Sequence, residues 1–231
     1  MPTRARSCPF VRFASLFSLA VLLMISCRSR GERESLNQSP NSVAELVTAS
    51  RRLGLTSVRF DPITEPMDGR LIDLARQHAF VLVSPIRADA AVTYDGTSIW
   101  TWSVVRVLEE IENANLSRAT CAIQVPSAVS LNPGEAAIRM TGGTLMIEGV
   151  SVTRPVRVNF QYEPARRYVL LADVCAGGAI ELPMGGYAVF EVTPEGRLLP
   201  TLSKSLTYEQ EILRLETLEK LRDYVRNQAR S

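Results

Sequence analysis

The chain has 231 residues, 46% of them apolar, which is enough for a sizeable core. Lys and Arg total 26 against 24 Asp and Glu, but residues 1–26 hold three arginines and no acid, so the remainder carries 23 basic and 24 acidic residues. That balance offers no basic face for nucleic acid, and one histidine excludes multi-histidine metal sites.

The N-terminus predicts an address. Arg4, Arg6 and Arg12 precede an apolar run from Phe13 to Ile25, and the small residue Ser26 follows, which is the layout of a secretory signal. The run is short for a membrane span, which needs about 20 residues. Met24-Ile25-Ser26-Cys27 resembles the lipobox of bacterial lipoproteins. The resemblance implies that Cys27 is lipidated and palmitate-bearing, that residues 1–26 are a removed signal peptide, and that the chain is membrane-anchored in the bacterial cell envelope. Two or more acyl chains hold a protein stably where one does not. Arg28 stands where Asp would mark inner-membrane retention in enteric bacteria, so the outer membrane is favoured.

Residues 27–41 are polar and Ser/Asn-rich and read as a flexible tether. Within residues 42–66, a short helix and linker are expected. Ser42 caps the helix with Glu45 three residues on, and Gly54 ends it. Residues 67–203 should form a β-barrel domain, entered by a short helix from Arg70 to Gln77. Ala79 to Val83 is a β-forming run, with Pro85 bending it. The strand from Ala88 to Tyr94 leads through Asp95-Gly96, a hairpin signal, to a return strand from Ser98 to Glu109. Further strands are expected at 119–125, 136–141, 144–148, 150–154, 167–175, 186–192 and 196–199, with Gly142-Gly143 as a tight turn. This is a mainly β (α+β) pattern, a small antiparallel OB-like barrel or sandwich with short N-terminal helices and a C-terminal amphipathic helix. That helix, in residues 204–231, runs from a Thr207 cap to Gln228. Ile212, Leu215, Leu218, Leu221 and Val225 form its apolar stripe, expected to pack on the barrel near Trp100 and Trp102.

Residues 70–200 resemble a family of exported bacterial proteins. The resemblance rests on Leu71-Ile72-Asp73-Leu74, Phe80-Val81-Leu82-Val83, Asp95-Gly96, Ile99-Trp100-Thr101-Trp102 with Val105, Gly142-Gly143 and Tyr168-Val169-Leu170-Leu171. The order is also similar to netrin-like modules, which are five-stranded OB-type barrels. These motifs describe strands and turns and carry no catalytic group.

Chemistry-bearing residues are few. Cys121 and Cys175 sit in strand-like apolar contexts. They pair in an oxidising compartment or stay separate buried thiols, and both readings stand. With Cys27 modified, too few cysteines remain for a four-ligand zinc site. No Gly-x-Ser-x-Gly elbow, P-loop or Gly-x-Gly-x-x-Gly fingerprint occurs. His78 is the single candidate base of a Ser-His-Asp arrangement, at a helix-to-strand junction where a polar surface residue is expected. Glu109, Glu110 and Glu112 cluster at a strand end and read as a solvated turn. Trp100 and Trp102 share one strand face. Exposed, they would be a surface for a sugar ring or an apolar partner; covered, they are core, which base rates favour.

The expectation is therefore a membrane-tethered lipoprotein acting as a binding or structural module, without catalysis, cofactor, metal or nucleic acid. Its partners are the membrane, through the lipid, and an envelope protein. Two alternatives stand beside it. One is a protease-inhibitor-like netrin module, which uses a free N-terminal Cys that lipidation of Cys27 would block. The other is a hydrolase using His78 or a carboxylate pair.

Overall fold

The computed structural model describes residues 42–61, 67–112, 121–156 and 165–227. The lipobox with Cys27, the signal segment and the tether lie outside these residues.

Helix α1 (Val43–Arg52) begins where its local chemistry says it should. Ser42 Oγ accepts from the Glu45 N–H at 3.2 Å, which satisfies one of the first orphan donors. At the other end, Leu55 N donates to Ser50 O and Gly54 N to Arg51 O. This reciprocal pair closes the helix with Gly54 at φ +69°. The helix buries Val43, Leu46 and Val47 against Phe60, Ile99, Val150 and Val152.

The sheet beneath α1 has three strands in the order β1 (Ser57–Arg59), β6 (Val150–Arg154), β5 (Gly143–Ile147). The expected linker thus contributes a strand, which pairs parallel with β6. Strands β5 and β6 belong to this small sheet, not to the barrel wall.

The barrel is built from β2 (Ala79–Tyr94), β3 (Ile99–Ile111), β4 (Glu135–Thr141), β7 (Arg167–Val174) and β8 (Ala179–Glu181). Strand β2 pairs with β3, β3 with β4, β4 with β8, β8 with β7, and β7 again with β2. The ring closes, and β2 to β4 with β7 and β8 have the strand order of an OB-type barrel. The closing pair β4–β8 runs parallel; the other four run antiparallel. Strand β2 spans the whole stretch expected as two pieces. Register shifts between Pro85 and Arg87 and between Arg87 and Ala91 bend it beside Pro85. Opposite Leu82 and Val83, β3 carries one extra residue, Leu108, which is left 45% exposed. Beyond β8, a 3₁₀ turn (Gly185–Ala188) replaces the first part of the expected strand at 186–192. It leads to β9 (Val189–Val192), which pairs with β7, and then to β10 (Leu198–Pro200). Of the strand expected at 119–125, residues 121–125 are irregular and 119–120 lie outside the described residues.

Val81, Val83, Val105, Ile138, Leu170 and Ile180 fill the barrel interior, all at 0% exposure. A second core lies outside the wall. Phe80, Leu82, Ile111, Val169 and Leu171 are covered by helix α2 (Leu71–Ala75) and by the C-terminal helices.

The expected single helix from 207 to 228 is two: α3 (Thr207–Leu215) and α4 (Leu218–Asn227). Glu216 breaks it at φ 65°, ψ −41°, and Thr217 N donates to Leu215 O at 2.7 Å. The break lets the chain pair with the strand beside it: Leu198 N donates to Glu216 O, and Leu218 N to Gly196 O. Thr207 is the first helical residue and not the cap. Asp68 from a distant segment takes the Thr207 N–H at 2.7 Å and its hydroxyl at 2.8 Å. The stripe is buried through Ile212, Leu218, Leu221 and Val225, with Leu215 partly buried. It covers Phe80, Leu82 and Ile111, not the Trp100–Trp102 region, because α4 lies at the opposite end of β3. There Glu109 accepts from Arg222 Nε at 3.0 Å and from Arg226 at 3.1 Å. Glu109 is therefore a strand residue tied to α4, not part of a solvated turn; Glu110 is exposed, and Glu112 is half-buried.

Candidate functional site

One polar row crosses the outer wall of the barrel. Cross-strand pairing sets Trp102 beside Arg139, Arg139 beside Glu181, and Glu181 beside Asp173. Ala79 opposes Ala172, so His78, one residue before β2, reaches Asp173. His78 Nδ1 lies 2.7 Å from Asp173 Oδ1, with the two side chains 10% and 18% exposed. The expected exposed surface histidine is thus largely enclosed. A carboxylate can only accept, so Nδ1 carries the hydrogen and Nε2 is the basic nitrogen. Among the described residues, Asp173 is the one side chain hydrogen-bonded to His78.

Arg139 donates to Glu181 and lies 4.1 Å from the centroid of the Trp100 ring, within cation–π range. Its Nε is buried and, among the described residues, has no hydrogen-bond partner. Trp100 is half-buried, and its indole N–H donates to Asp95 Oδ2 at 2.6 Å. Asp95 organises the β2–β3 turn. Its other oxygen accepts from Thr97 N, Thr97 Oγ1 and Ser98 N. Partial burial pushes the Asp95 pKa up, but the hydrogen bonds from Ser98, Thr97 and Trp100 outweigh it and hold it at about 2.

Trp102 is 3% exposed, and its N–H donates to Thr93 Oγ1 at 2.9 Å. It is core, which removes it as a surface for ligands. The two rings share a strand face but have different covers. The irregular segment 121–131 lies over Trp102, Val104, Ala137 and Ala179, and Arg139 lies over Trp100. Cys121, at the start of that segment, is disulfide-bonded to Cys175, with a Cα–Cα distance of 5.1 Å. The free-thiol reading does not describe this pair.

Arg139, Asp173 and Glu181 were not recognisable from sequence. Each is a polar residue at an outward position of a mainly apolar strand, alongside Glu135 and Thr141 on β4 and Arg167 on β7, and the row exists only once four strands are in register. His78 was recognisable because it is the single histidine. The row can orient an imidazole and hold an aromatic face under a cation. Among the described residues, no group of three or more His, Cys, Asp or Glu could hold a metal, and no helix is long and apolar enough to cross a membrane. The fold and the row together define a disulfide-bonded β-barrel protein with one polar row across its outer wall. No family model, curated protein or solved structure matches this chain.

Proposed function

We propose that this chain is a lipid-anchored protein of the bacterial cell envelope that acts as a binding or structural module rather than as a catalyst. The observation that carries the reading is the Cys121–Cys175 disulfide in a chain whose N-terminus reads as an export signal. Disulfides persist in oxidising compartments and are rare elsewhere. The lipobox-like Met24-Ile25-Ser26-Cys27 supplies the anchor. The apolar filling of the barrel supports recognition on outer surfaces, because the interior is occupied by side chains. Metabolic labelling with a palmitate analogue tests the anchor: wild type should take label and Cys27→Ala should not. Equal label on both would refute it. Pull-down from detergent-solubilised envelopes tests the module, with an envelope protein expected on the bait.

The His78–Asp173 contact favours a second reading, a hydrolase in which His78 is the base. Turnover of ester or amide probes by the purified chain, abolished in His78→Ala, would establish it. Equal rates in both proteins would remove it.

A further inference from the structure

The segment 121–131 is fixed unevenly. Its last part is tied by polar bonds: Arg87 donates to Ser130 O at 2.6 Å, and the Asn132–Glu135 turn carries three hydrogen bonds into β4. Its first part, Cys121 to Pro126, has no strand or helix. Among the described residues, its ties to the barrel are the disulfide and apolar contacts of Ile123 and Val125. The two cysteines are also unequal. Cys175 is 5% exposed and sits on the β7–β8 hairpin, where its N–H donates to Ala179 O at 2.8 Å. That hairpin closes the barrel, so Cys175 is a rigid post. Cys121 is half-exposed on the irregular segment.

We propose that the Cys121–Cys175 disulfide is a redox latch: oxidised, it holds residues 121–131 as a strap over the apolar outer face of Trp102, Val104, Ala137 and Ala179, and its reduction by a dithiol uncovers that face while the barrel stays closed. The chemistry is ordinary thiol–disulfide exchange. One thiolate of the dithiol attacks Sγ of Cys121, the more exposed of the two residues; the S–S bond breaks, and Cys175 leaves as a thiolate that takes a proton. The second thiol of the dithiol then displaces Cys121 as a thiol. Two electrons pass to the protein, and the dithiol ends as a disulfide. The β2–β3–β4–β8–β7 ring is held by its own strand pairings. The inference is independent of the proposed anchor.

Trp102 is a built-in reporter, because it lies under the strap and Trp100 does not. The full-length Trp100→Phe chain, purified oxidised in detergent, should shift its emission to the red when dithiothreitol is added. In wild type, exchange of the Val129 amide, which donates to Pro126 O at 2.8 Å, should rise at least tenfold on reduction, with β2, β3 and β7 still protected. Cys121→Ser without reductant should match the reduced wild type. Unchanged exchange and emission on reduction would show that packing alone holds the strap and would overturn the proposal. Loss of protection through β2 and β7 together with the strap would overturn it as well, since the bond would then hold the whole fold. Retention of the oxidised pattern by Cys121→Ser would do the same.

Discussion

Asp95 shows how much one side chain can organise. It accepts from Thr97, Ser98 and Trp100, which fixes the β2–β3 turn and the indole beside Arg139. Its carboxyl is held at about 2, below its ordinary value of 3.8. The folded state therefore binds fewer protons than the unfolded state between these values. The stabilisation is fully present above pH 4 and is lost as pH falls toward 2. Asp95 is exposed, so after screening by solvent the contribution is about 1 kcal/mol. Asp95→Asn should be less stable than wild type by that amount at pH 7, and the gap should close in melts taken between pH 4 and 2. A gap that stays constant over that range would remove the charge from the explanation. Gly142 makes a second prediction. It sits at φ +120°, and a Cβ there would lie 2.5 Å from the Pro155 carbonyl oxygen. Gly142→Ala should cost about 2 kcal/mol or more, measured by urea unfolding. Gly142, which joins β4 to β5 across the two sheets and not in the expected tight turn, also accepts the Thr101 hydroxyl at 2.7 Å, a bond that a shifted backbone would lose.

At the scale of elements, the break between α3 and α4 is the informative feature. Glu216 adopts a positive φ that side chains rarely adopt, and the tight Thr217 N to Leu215 O bond shows a three-residue turn. Glycine removes that strain, although it costs some unfolded-state entropy. Glu216→Gly should therefore raise stability by about 1 kcal/mol and the melting midpoint by roughly 2–4 °C. The Glu216–Lys220 contact that the change deletes is more than half exposed and adds little. This break was illegible in the sequence for a definite reason: Ile212, Leu215 and Leu218 keep a spacing of three through it, so the apolar period gives no sign of a stop. The elements legible from sequence carry their cause locally. Ser42 and Gly54 cap α1, and Asp95 turns β2 into β3. Strands β1 and β8 were missed because each has three residues and is fixed by its pairings, β1 with β6 far along the chain and β8 with distant β4 as well as with β7 just before it. The polar row was missed for the same reason, apart from His78. Alternation placed Trp100 and Trp102 on one face correctly, but periodicity does not say which neighbour covers which ring.

For the whole molecule, the barrel depends on a second layer outside its wall. Phe80, Leu82, Ile111, Val169 and Leu171 would face water without α3 and α4. Ile212, Leu218, Leu221 and Val225 each contribute about 1.5–3 kcal/mol by burial, a sum comparable to the net stability of an ordinary domain. A chain ending at Leu202 should aggregate or melt far below wild type, and an equal midpoint would show that the outer layer is dispensable. The closure of the barrel also has a consequence in time. Val83 of β2 must wait for Tyr168 of β7, and Ala137 of β4 must wait for Ala179 of β8. These pairings join segments with the whole β5–β6 hairpin lying between them. Architectures dominated by such distant pairings fold in milliseconds to seconds rather than microseconds. Until β8 (Ala179–Glu181) has been synthesised the ring has no closing strand, so closure is a late event in the life of a new chain.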